Sequence, residues 1–200
     1  MQKKWRLLKE QTGYDGFFKL SRYSLQHELF NGGWSPPLDR EVLHRGHAAA
    51  VIPYDARLDR TLLIEQFRPG AINDPDTPWL LEVIAGMVES GESDEAVVRR
   101  EATEEAGIEI GDVHFMTTYY PSPGGSTETI SLYWAAADLS DVDGVFGLPE
   151  EGEDIRAFSV AFDDALEQVK RGQINNSLAI ISMLWFEPIR QTIQQDSSFL

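Results

Sequence analysis

Residues Gly86 to Ile108 read GMVESGESDEAVVRREATEEAGI, and this stretch decides the fold. A glycine turn carrying Glu89 and Glu92 leads into a helix. Ser93 suits the N-cap, and Asp94 and Glu95 place negative charge on the first turn, where the helix dipole favours it. Gly107 stands where a left-handed residue ends a helix. At 3.6 residues per turn, Glu101, Glu104 and Glu105 share one face. Val98, Ala102 and Ala106 form a narrow adjoining stripe that can lie close on a sheet. Like charges at i, i+4 cost about 0.2–0.5 kcal/mol in an isolated helix. Carboxylates gathered beside a glycine turn therefore call for a counter-charge, and hard divalent cations such as Mg²⁺ take oxygen ligands. Taken alone, the helix is more simply read as a solvated acidic face.

The full spacing shifts that balance. Gly86, Glu92, Arg100, Glu101, Ala102, Glu104, Glu105, Gly107 and Ile108 fill the pattern G-x5-E-x7-R-E-U-x-E-E-x-G-U, where U is apolar. So many specified positions are rarely met by chance. The stretch resembles the Nudix box, the signature of hydrolases that cleave a nucleoside diphosphate linked to another moiety.

A length of 200 residues suits one main domain with a small appendage. No apolar run is long enough to span a membrane, and MQKKWRLLKEQ lacks the apolar core of a secretory signal. There is no cysteine, hence no disulfide framework and no thiol chemistry. A cytoplasmic location is the expectation. The net charge of −16 argues against nucleic acid or an anionic membrane as a partner, since both need a basic surface. An anionic pyrophosphate substrate meets the same obstacle unless bound cations offset it.

Along the chain, residues 1–45 read as a separate layer of antiparallel strands. Apolar and polar residues alternate loosely from Phe17 to Leu25, and Asn31-Gly32-Gly33 is a turn signal. So few residues make a poor core alone. Residues 46–200 are denser. Ala48–Pro53, Thr61–Phe67, Trp79–Ile84, Val113–Tyr120, Thr129–Ala137 and Ile155–Phe162 read as strands. Asp163–Arg171 and Ser177–Gln194 read as helices, the second bent or broken at Pro188. Ser140–Gly152 is rich in Gly, Asp and Glu and reads as a mobile loop. This order predicts an α/β protein, with a mixed sheet between helical layers.

Three further features have plain structural readings. SPGGSTE, from Ser122 to Glu128, is a turn on its own chemistry. EEGEDI, from Glu150 to Ile155, is a charge run, yet its place before a strand suits delivery of Glu151 or Glu153 to a site as base or metal ligand. Arg40, Arg45 and Arg68 are suited to surface ion pairs, and Arg68 follows a strand closely enough to grip a phosphate bidentately.

The resemblance extends over nearly the whole chain. RGHAAAVIPYD, LIEQFR, TPWLLEVIAGM, SPGGSTE and EDIR look like segments of the bacterial ADP-ribose pyrophosphatase branch of the Nudix family. It implies an α/β/α Nudix fold with an N-terminal strand domain exchanged across a homodimer. It also implies Mg²⁺-dependent hydrolysis of ADP-ribose to AMP and ribose 5-phosphate, with Mn²⁺ able to replace Mg²⁺. By the resemblance, the Ala85 carbonyl, Glu101, Glu105 and Glu153 match metal ligands, and Glu151 matches the base that activates water. Glu92, Arg100 and Glu104 match residues supporting the turn and the metal site. Glu104 is the next candidate for the base. Phe17, Phe18 and Arg40 match contacts to the adenosine end across the dimer. Arg68, Met87, Ser122, Pro123, Gly124 and Glu128 match other substrate contacts. Two alternatives share the box: a hydrolase of another nucleoside diphosphate sugar, such as a GDP-sugar, and a non-catalytic ADP-ribose-binding module. Box glutamates can be lost in the latter, and none is missing here.

Overall fold

The structure is a computed structural model and describes residues 2–195. The chain divides into two compact units. One runs from the N-terminus to His47 and takes in Tyr120–Thr129, and the other holds Ala48–Tyr119 and Ile130 onward.

The first unit is a three-stranded antiparallel sheet of β1 (Trp5–Asp15), β2 (Lys19–His27) and β3 (Leu38–His44), in that order. Every residue of β1 is exposed. Its ladder with β2 shifts register between Leu7 and Lys9 and between Thr12 and Tyr14. Such shifts raise local twist and blunt an open edge against pairing with other chains. The Ser122–Glu128 turn lies along β3: Leu43 donates its N–H to Gly125 O at 2.8 Å, and Thr127 donates to Leu43 O at 2.9 Å.

The second unit is built on an eight-stranded sheet. Its strands are β4 (His47–Asp55), β5 (Arg60–Phe67), β6 (Trp79–Glu82), β7 (Ile84–Met87), β8 (Val113–Tyr119), β9 (Thr129–Ala136), β10 (Asp143–Phe146) and β11 (Ile155–Ala161). The main order is β10-β11-β5-β4-β9-β8. The sheet is mixed. β9 runs parallel to β4, since Thr129 N–H reaches Gly46 O at one end and Ala137 N–H reaches Tyr54 O at the other. The remaining registered pairs are antiparallel.

Period-two alternation distributes β4 between two cores. Ala48, Ala50, Ile52 and Tyr54 face one side, where α2 (Phe162–Lys170) and α3 (Ser177–Gln195) pack through Phe162, Leu166, Met183 and Phe186. Ala49 and Val51 face the other, where α1 (Asp94–Ala106) packs through Val97, Val98, Ala102 and Ala106. Full burial of each large aliphatic side chain contributes about 1.5–3 kcal/mol. The result is the sandwiched α/β/α arrangement expected from the sequence.

The structure corrects three local expectations. Trp79–Ile84 is not one strand: the chain pairs with β5 through Glu82, then with β4 from Ile84 to Met87. β4 and β5 pair with each other at Tyr54–Thr61 and Asp55–Arg60. The Gly86–Met87 end of the glycine turn is therefore strand. Ser140–Gly152, read as a loop, contains β10 and a 3-10 turn at Pro149–Glu151. Pro188 does not break α3, which runs on to Gln195. Proline removes a single donor, and Leu184, the residue four back whose carbonyl loses that donor, is itself half exposed. An apolar cavity of 450 Å³ lies there, lined by Thr117, Tyr119, Ile181, Leu184, Trp185 and Pro188. It contains no carboxylate.

Candidate active site

Helix α1 begins and ends as its sequence dictates. Ser93 Oγ accepts the Ala96 N–H at 3.2 Å, and Gly107 closes the helix at φ 65°. Its buried face sets Glu101 and Glu105 against β7, and both are nearly sealed, at 9% and 3% exposure. Glu105 Oε2 accepts the Ala85 N–H at 3.1 Å. Gly86 lets Glu101 approach: a Cβ on Gly86 would lie 1.8 Å from Glu101 Oε1. Met87 ends the same strand, 37% exposed.

Arg100 ties the helix face to the turn before it. Its Nη1 donates to Glu101 Oε1 at 2.8 Å and Glu104 Oε2 at 3.0 Å, and its Nε lies 3.6 Å from Glu92 Oε1. Glu92 Oε2 accepts the Glu89 N–H at 3.1 Å. Glu82 takes the Nε–Nη2 edge of Arg68, at 2.9 Å and 2.8 Å, so that edge is not open for the bidentate phosphate grip expected from the sequence. Sequence reasoning missed Glu82 as the residue that aims Arg68. The available signal was a lone glutamate in the apolar run from Trp79 to Ile84.

Glu151 and Glu153 sit on the compact turn after β10. Leu148 O accepts the N–H groups of Glu151 and Glu153 at 3.0 Å and 3.2 Å, and Gly152 caps the turn at φ 74°. Glu151 is exposed. Glu153 Oε2 accepts the Leu148 N–H at 3.0 Å.

The other expected site residues lie in the first unit. Phe17 and Phe18 form an edge-to-face pair at 4.8 Å between β1 and β2, with Phe17 92% exposed. Arg45 stacks over Phe18 at 4.8 Å and pairs with Glu128 at 2.9 Å. Arg40 lies on β3 and lines a polar cavity of 440 Å³ with Arg22, Asp39 and Glu41. Ser122, Pro123 and Gly124 lie in the turn along β3, where Ser122 O accepts the N–H groups of Gly125 and Ser126. The structure thus gathers Ala85, Met87, Arg68, Arg100 and the carboxylates in one unit, and the aromatic pair, Arg40, the Ser122–Gly124 turn and Glu128 in the other.

The electrostatics of the buried pair are strongly unfavourable to two free anions. Burial pushes the Glu101 carboxyl up to about 7; Arg100 opposes the rise, and Glu104 and Glu153 add to it. Burial, then the Glu101 charge, pushes Glu105 well above the ordinary carboxylate range against the Ala85 N–H and Arg68. Among the described residues, no three His, Cys, Asp or Glu side chains are gathered as a ready-made metal cage. The donor chemistry nevertheless fits a hard divalent cation: two sealed carboxylates short of positive charge, a backbone segment against them, and oxygen donors only.

These elements define an α/β/α protein with a helix-borne carboxylate site beside a glycine-containing strand. The NUDIX domain family matches residues 44–178, and the chain belongs to that family of hydrolases. Its enzymes are in general dependent on divalent metal. The chain is 43% identical over 192 residues to the ADP-ribose pyrophosphatase of Haemophilus influenzae, covering 94% of this chain and 88% of that protein. It is 32% identical over 183 residues to a GDP-mannose pyrophosphatase of Escherichia coli, covering 90% and 94%. A crystal structure of an ADP compounds hydrolase superposes with a TM-score of 0.70 at 18% identity, over 97% of this chain and 96% of that one, and has the same fold.

Proposed function

We propose that this protein hydrolyses the pyrophosphate bond of ADP-ribose, giving AMP and ribose 5-phosphate. The observation that carries the reading is the sealed Glu101–Glu105 pair against Ala85 and Gly86, inside a complete box. The higher identity to an ADP-ribose pyrophosphatase than to a GDP-mannose pyrophosphatase supports the choice of substrate.

Ala85, through its carbonyl, and Glu101, Glu105 and Glu153 would hold the cation, for which Mg²⁺ is proposed. When bound, a divalent cation neutralises pyrophosphate charge and lowers the pKa of bound water. The chain's own residues do the rest. Arg100 holds Glu101 and Glu104 in place, and Glu82 holds Arg68 for contact with a phosphate oxygen. Exposed Glu151 takes the proton of the attacking water. The water oxygen bonds to one phosphorus, the bridging P–O bond breaks, and the second phosphate leaves with its ribose.

The first unit is proposed to bind the adenosine end in a homodimer, through Phe17, Phe18 and Arg40, with Ser122, Pro123, Gly124 and Glu128 as further contacts. Support comes from its exposed aromatics, Trp5 at 73%, Phe17 at 92% and Phe30 at 95%, on a sheet too thin to bury them. The same proposal sets the enzyme in the cytoplasm, where a nucleoside diphosphate sugar would meet it. The test is kcat/KM on ADP-ribose, ADP-glucose, GDP-mannose and UDP-glucose with Mg²⁺. ADP-ribose should lead clearly; a lead for GDP-mannose would transfer the assignment to GDP-sugars.

A further inference from the structure

One aromatic ring ties the turn bearing Glu151 and Glu153 to the end of α1. Phe146, the last residue of β10, packs into space that only glycines leave free. A Cβ on Gly107 would lie 2.5 Å from Phe146 Cε1, and one on Gly144 would lie 2.9 Å from Cε2. Gly107 thus serves twice, as the left-handed cap of the helix that carries Glu101, Glu104 and Glu105 and as the seat for this ring. The next residue extends the attachment: Gly147, at φ 101°, donates its N–H to Glu104 O at 3.0 Å. A Cβ on Gly147 would lie 2.7 Å from Glu153 Cβ, so the chain there is also packed against the far side of the turn. Leu148 O then accepts the N–H groups of Glu151 and Glu153. From the packed ring to Glu151 the path is short, and hydrogen bonds hold it at Gly147 and at Leu148.

We propose that Phe146 is a positioning residue, whose seat on Gly107 sets the distance between the α1 carboxylates and Glu151. The inference rests on the reading of Glu151 as the group that takes the proton from water. Proton transfer needs hydrogen-bond reach, and an error of about 1 Å can cost on the order of 10²-fold in rate. A purely structural Phe146 would behave differently. It also packs, with Val142, on the cluster of Ala102, Ala106 and Ile155, and in that role its loss would lower stability and leave kcat alone.

The experiment compares Phe146→Ala and Phe146→Leu in the wild-type and Glu151→Gln backgrounds. It follows kcat and KM for ADP-ribose at saturating Mg²⁺, thermal unfolding, and hydrogen exchange at the Gly147 amide. Phe146→Ala should stay folded and lower kcat by about 10–10²-fold with KM little changed. Its Gly147 amide should exchange faster, and Phe146→Leu should recover much of the lost rate. In the Glu151→Gln background Phe146→Ala should add little, because the group it positions is gone. If Phe146→Ala does not fold, Phe146→Leu carries the same comparison with a smaller loss. Unchanged kcat, or an equal fractional loss in both backgrounds, overturns the positioning role while Glu151 keeps its own. Normal turnover by Glu151→Gln overturns the reading of Glu151, and the proposal with it.

Discussion

Glu101→Gln should stabilise the metal-free protein at alkaline pH. In the fold, burial holds the Glu101 carboxyl at about 7, against an ordinary value of 4.5. Between those values the folded state binds more proton than the unfolded state, so stability falls as pH rises. The cost is absent below the unfolded value and complete above the folded one. Allowing for solvent screening of a carboxyl that also pairs with Arg100, a shift of this size corresponds to about 2 kcal/mol. Glutamine carries no charge, and its Oε1 can still accept from Arg100 Nη1, which holds the present oxygen at 2.8 Å. For a chain of this size the gain is about 4–8 °C in Tm. The assay is thermal unfolding in EDTA from pH 4.5 to 8.5, with both proteins side by side. The curves should meet near pH 4.5 and separate as pH rises, the variant lying higher. Added Mg²⁺ should then raise the wild-type Tm more than that of the variant. A variant no more stable than wild type at pH 8.5, or a difference independent of pH, would refute the argument that two sealed carboxylates await a cation.

Glu105→Gln should keep the fold and nearly abolish turnover at saturating Mg²⁺, checked by steady-state rates beside circular dichroism. Gly86→Ala drives a methyl into Glu101 Oε1, Cδ and Cγ, at 1.8, 2.3 and 2.6 Å, so it should displace that carboxylate and raise the Mg²⁺ needed for half-maximal activity by titration. Asp55 is buried; burial raises its pKa, but Arg57 and the N–H groups of Leu139, Leu58 and Arg57 outweigh that and hold it below the ordinary value. It therefore stabilises the fold above the unfolded carboxylate pKa and loses that contribution as pH falls through the lower folded one. Asp55→Ala should cost about 1–3 kcal/mol at pH 7 in denaturant unfolding, with the gap narrowing under strong acid. Chain exchange between Arg40→Ala and Glu105→Gln proteins should restore part of the activity; a fully active monomer would exclude the dimer proposal.

Much of the architecture was legible because single residues have sharp physical demands. Ser93 and Gly107 bounded α1 by capping chemistry, and the apolar run Ala48–Pro53 marked a strand, which the fold buries on both faces. The carboxylate face was legible because helical spacing brings Glu101, Glu104 and Glu105 together. What the sequence hid depends on tertiary pairing. The division of Trp79–Met87 between two partner strands follows from how β4 and β5 are placed, which no local pattern encodes. β10 is four residues long in a Gly- and Asp-rich segment, and β11 and Phe146 hold it rather than its own propensity. Glu82 drew no role from the sequence, because the Arg68 guanidinium it holds stands fourteen positions earlier and only strand pairing brings the two together.

The α1 carboxylates are proposed to serve pyrophosphate hydrolysis of ADP-ribose. That role is tested most directly by incubating the purified protein with ADP-ribose and Mg²⁺, with and without excess EDTA, and separating the products by ion-exchange chromatography. AMP and ribose 5-phosphate should appear in equal amounts, with no product in EDTA and almost none from Glu105→Gln. Intact ADP-ribose after prolonged incubation, or equal cleavage by Glu105→Gln, would contradict that role.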